Sequence, residues 1–137
     1  MKLLMANKSL LLLDMGLDSF YKQSKDWLSE ISFWRDECIF LHSIFVKKKL
    51  IKLNNVPVKM LESVENEVAI LNNDLLYKLQ QDVKKHKDYI GKLLANKLSS
   101  ADTCRKQHKK LLASINQFDS RLKMLKKNIF QMVEFAK

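Results

Sequence analysis

Two glycines, Gly16 and Gly91, and a single proline, Pro57, are the only strong chain breakers in 137 residues. Sandwiches, barrels and doubly wound sheets turn at Gly-, Pro- or Asn-marked corners, and such corners are too few here. Two isolated glycines cannot form a glycine-rich phosphate loop either. At 47% hydrophobic residues the chain is also too apolar to stay unfolded. What remains is a small number of long helices.

Apolar spacing divides the chain into three of them. Phe20, Ser24, Trp27, Ile31, Trp34, Cys38, Leu41 and Phe45 recur at alternating steps of four and three, which puts all of them on one helical face. This predicts a first helix over about residues 17–53. Asn54, Asn55 and Pro57 then supply turn chemistry, with Pro57 suited to the first turn of the next helix. The second run is Leu61, Val64, Val68, Leu71, Leu75, Leu79, Val83, His86, Ile90 and Leu93. Consecutive steps of four around Leu75 to Val83 form a stutter, which unwinds a supercoil locally without ending a helix over about 57–98. Ser99, Ser100 and Asp102 offer an N-cap for a third helix. Its seam, Ala101, Cys104, His108, Leu111, Ile115, Phe118, Leu122, Leu125, Ile129, Met132 and Ala136, predicts a helix over about 101–136.

Short connections make consecutive helices antiparallel neighbours. The expected fold is therefore all-α: three long antiparallel helices in a coiled-coil-like bundle over residues 17–137. Residues 1–16 hold Leu3, Leu4, Met5 and the apolar run 10–13, and are expected as a short apolar segment packed on the bundle. A bilayer-spanning helix needs roughly 20 apolar residues, so no transmembrane segment is expected. Asn7, Lys8 and Asp14 interrupt the N-terminal stretch and no small-residue cleavage site follows, which favours a cytoplasmic protein.

The turns set a register. Residues on helices one and two lie level when their numbers sum to about 110, and those on helices two and three when they sum to about 198. His86 and His108 then fall close in level on facing seams, whereas His42 lies far along the axis. A three-histidine metal site is thereby excluded unless the chain oligomerises, and the pair lacks a third ligand. Two partly buried histidines satisfied by water or neighbouring hydroxyls are the expectation. Cys38 and Cys104 are separated too far for a disulfide and read as buried, reduced thiols. Glu37, beside the aromatic face, calls for a salt bridge to Lys123, Lys126 or Lys127. No nucleophile, base and oxyanion donor converge, so no enzymatic activity, cofactor or metal is expected.

Two surface features suggest function. Phe33, Phe40 and Ile44 lie well off the Trp27 and Trp34 stripe, giving helix one more apolar surface than a three-helix core uses. Self-association or a protein partner on that face is the leading reading. The formal charge of +10 is the second feature, with Lys84, Lys85, Lys87, Lys106, Lys109 and Lys110 grouped near the second hairpin. They suit phosphate contacts, so binding of nucleic acid or another polyanion is the alternative. Against base reading, 22 of the 25 basic residues are Lys, with Arg only at 35, 105 and 121.

Overall fold

From Lys2 to Ile51 the chain is one helix of 50 residues, about 75 Å long at 1.5 Å per residue. The computed structural model describes the backbone of residues 2–51, 57–96 and 101–135, and the side chains of residues 16–44, 57–95 and 102–132. Every described residue except Pro57 is helical. After α1 (Lys2–Ile51) come α2 (Val58–Ala69), a π-helical segment (Ile70–Leu75), α3 (Leu76–Asn96) and α4 (Ala101–Phe135). The π-helical segment runs straight from α2 into α3, so the molecule is three long rods packed against one another. Pro57 stands at the N-cap of α2, and its carbonyl accepts from the backbone N–H groups of Met60 and Leu61.

The first helix begins earlier than its seam suggests. Residues 2–16, expected as a separate short element, are the opening turns of α1 itself. Gly16 is the sole breaker between the two stretches, and one glycine costs a helix only about 1 kcal/mol relative to Ala. The contacts made by side chains 1–15 fall outside the described residues.

The stutter in the second helix takes a different form as well. Leu71 and Leu76 are both fully buried, while Leu75, the residue picked by the step-of-four reading, is half-buried. The π-helical segment accommodates one extra residue between Leu71 and Leu76, after which Leu79, Val83, His86 and Ile90 resume the seam. Irregularity was legible at this place, but its geometry was not.

Two apolar clusters form the core. The larger joins Trp27, Ile31, Trp34, Cys38 and Leu41 of α1 to Val68, Leu71, Leu76, Leu79 and Val83, and to a row on α4 from Leu111 to Ile129. The smaller consists of Leu17, Ile90, Leu93 and Cys104, flanked by Phe20, Tyr21 and Leu94. A Cβ at Gly91 would lie 3.6 Å from the Tyr21 ring, an ordinary van der Waals contact, so the packing here does not require a glycine. Burying one leucine or isoleucine side chain contributes about 1.5–3 kcal/mol, so these rows supply the main drive to fold.

Candidate functional site

Between the two apolar clusters, each rod contributes one buried polar residue to a common level: Ser24 from α1, His86 from α3 and His108 from α4. All three occupy seam positions, so the polarity is built into the core. Ser24 Oγ donates to the carbonyl of Phe20, one turn earlier, at 2.7 Å. Nε2 of His86 and Nδ1 of His108 are 2.9 Å apart, and Nε2 of His108 lies 2.7 Å from Oε1 of Gln23. The Gln23 carbonyl accepts, so Nε2 of His108 carries a proton and Nδ1 of a neutral His108 is left to accept from His86. Nδ1 of His86 is then a bare acceptor, and it is buried with no hydrogen-bond partner.

Aromatic rings close the layer. Phe20 and Trp27 each stack on His108, with centroids 4.1 and 4.6 Å away. Packed in this way the layer is shielded from water, and the lost hydration disfavours an imidazolium. Burial pushes the His86 imidazole below its ordinary range, and burial together with the charge of His86 pushes His108 down to about 4. Both rings are neutral near pH 7.

The pair is thus more deeply buried than the sequence suggested, and its partners are an amide and another imidazole where hydroxyls or water were expected. Gln23 was not foreseen at all. Its position one residue before the seam residue Ser24 was the available signal. Among the described residues, no group of three or more His, Cys, Asp or Glu side chains is arranged to hold a metal ion.

Both cysteines are buried and unpaired. Burial, then the neighbouring Glu37 carboxylate, push the Cys38 thiol up to about 11 against the opposing influence of Lys126. Burial also raises Cys104. Neither therefore presents a thiolate at neutral pH. Glu37 accepts from Lys126 Nζ at 2.9 Å, one of the three partners its level on α4 allowed.

On the outside of α1, Phe33 is 61% and Phe40 59% exposed. They are seven residues, or two turns, apart on one face. Ile44, expected to extend that face, is half-buried and packs against the larger core cluster, as do Leu61 and Val64 of α2. The start of α2 claims this end of α1, which reduces the free face to Phe33 and Phe40. Of the six grouped lysines, Lys84, Lys85, Lys106, Lys109 and Lys110 are exposed and Lys87 is half-buried. Lys85 and Lys87 flank His86 on opposite sides, because two residues of helix turn through about 200°. The six side chains therefore fan around α3 and α4 and do not follow one line. No described helix is long and apolar enough to cross a membrane.

No family model, no curated protein and no solved structure matches this chain.

Proposed function

We propose that the protein is a non-enzymatic helical-bundle interaction protein that associates with itself or with a partner protein through the Phe33 and Phe40 face of α1. The observation that carries this reading is the exposure of both rings, at 61% and 59%, on a helix that runs unbroken from Lys2. A segment packed back on the bundle was one way to cover them. In an unbroken helix, Met15 lies 18 residues from Phe33, about 27 Å along the same rod, so α1 does not cover its own face. Two adjacent exposed phenylalanines favour burial against another surface.

Light scattering at tens of micromolar, with and without a mixed partner pool, tests the proposal. Concentration-dependent association that Phe40→Ser abolishes supports it. Strictly monomeric protein whose solubility and association do not respond to Phe40→Ser ends it. The alternative, polyanion binding through the lysines, draws support from the exposure of five of the six. Their fanned arrangement and the scarcity of Arg leave it second.

A further inference from the structure

A groove of about 520 Å³ runs between α3 and α4, along residues 107–121 of α4. Its floor is apolar: Leu75, Leu79, Leu111 and Phe118. Leu79, Leu111 and Phe118 retain 5–6% exposure, whereas Ile31, Cys38, Leu71, Leu76 and Val83 retain none. Trp34 of α1 retains a similar 6%, so the core is thinly covered on more than one side, and on the α3–α4 side the groove reaches it through Leu79, Leu111 and Phe118.

The walls repeat at helical spacing. On α4 they are Gln107, Lys110, Ser114, Gln117 and Arg121, and across the groove Lys78 and Asp82 of α3. Steps of three and four over 15 residues match about four turns of a further helix laid alongside. Lys78, Lys110 and Arg121 outnumber Asp82 on the rims. Arg121 uses Nε alone on Glu67, at 3.3 Å, which is one of its five N–H donors. At these basic rims a second copy of the chain, at +10, would meet like charge, an objection local to the groove that the apolar Phe33 and Phe40 face does not raise.

We infer that the α3–α4 groove is a docking site for an amphipathic helix of about four turns from another protein, apolar along one seam and acidic on its flanks, which completes a four-helix arrangement. The seam would seat over Leu79, Leu111 and Phe118, and the flanking carboxylates would face Lys78, Lys110 and Arg121. This site is separate from the Phe33 and Phe40 face and does not depend on it.

The test uses the full chain and two fluorescent 21-residue helical peptides, both with Leu at heptad positions a and d. One carries Glu at e and g, the other Lys. By anisotropy, the Glu peptide should bind at least about tenfold tighter than the Lys peptide, and should weaken by a similar factor from about 50 to about 500 mM NaCl. Lys78→Glu with Lys110→Glu should reverse the ranking, and the milder Lys78→Gln with Lys110→Gln should erase most of it. Both lysines are exposed, so circular dichroism should show an unchanged fold. Ser114→Trp should block either peptide by filling the groove, while Phe33→Ser with Phe40→Ser should leave binding intact. Equal binding of the two peptides, a ranking indifferent to the lysine variants, or loss of binding only in the Phe33 and Phe40 variant would overturn the proposal.

Discussion

His86 and His108 share a hydrogen bond of 2.9 Å; burial alone holds the His86 imidazole below its ordinary range, and burial followed by the charge of His86 does so for His108. A proton added to this pair finds no carboxylate to receive it. Nδ1 of His86 is the one ring nitrogen free to take it, since both nitrogens of His108 are already engaged.

Acid should therefore loosen the bundle. His108 is depressed to about 4 in the fold against an ordinary value near 6.5, so between those values the unfolded chain binds more protons than the native one. The stability associated with the neutral ring is fully present above about pH 6.5 and is lost progressively as pH falls to about 4, by on the order of 3 kcal/mol. Urea unfolding from pH 7.5 to 4 measures this. A His86→Leu, His108→Leu double variant should show a much flatter acid limb.

The two histidines should also be strongly coupled. Replacing His86 alone with Leu strands Nδ1 of His108 in the core at a cost of about 1–3 kcal/mol, and replacing both removes the stranded acceptor. The double variant should match or exceed the stability of the parent, with a coupling energy of at least about 1 kcal/mol in a double-mutant cycle. What it should lose is uniqueness of register, visible as broadened amide resonances, because one polar layer across three seams penalises every slipped alignment. Additive single effects would show that the hydrogen bond contributes nothing.

Gly91→Ala should stabilise the protein by about 0.5–1 kcal/mol, raising Tm by roughly 3 °C. Gly91 lies within α3, and the new methyl would meet Tyr21 at 3.6 Å, an ordinary van der Waals contact. Helix propensity therefore acts without a steric penalty. A lower Tm by calorimetry would mean that Tyr21 and α3 are closer than this.

Deleting Asn73 should be tolerated. With one exposed residue removed from the π-helical segment, Leu76 would follow Leu71 at a step of four, with Leu79 and Val83 continuing at three and four on a regular α-helix. Cooperative urea unfolding within about 1 kcal/mol of the parent is expected. Deleting Lys84 instead would rotate His86, Ile90 and Leu93 out of the core by about 100° and should abolish cooperative unfolding.

The three rods and the level at which they meet were readable from seam spacing and from two turns. A sum of 110 sets Ser24 opposite His86, and Tyr21 meeting Gly91 sums to 112, so the turn between the first two rods was enough to set their register. What escaped was rotation about the helix axes. Leu75 and Leu76 are equally apolar neighbours, and choosing between them depends on a backbone hydrogen-bond shift that side-chain spacing does not encode. Ile44 was misplaced for a related reason: its solvent exposure depends on where α2 starts to overlap α1. The groove between α3 and α4 is a property of how two rods splay, and no single seam records it.

The stacking around the polar layer gives the two tryptophans separate duties as reporters. Trp27 lies against His108, while Trp34 lies 4.9 Å from Phe118 in the larger apolar cluster. An imidazolium accepts electrons from excited indole far better than a neutral imidazole or a benzene ring does. Emission from Trp27 should therefore respond to a proton shared across the His86–His108 hydrogen bond, while emission from Trp34 should change only as the apolar cluster itself loosens.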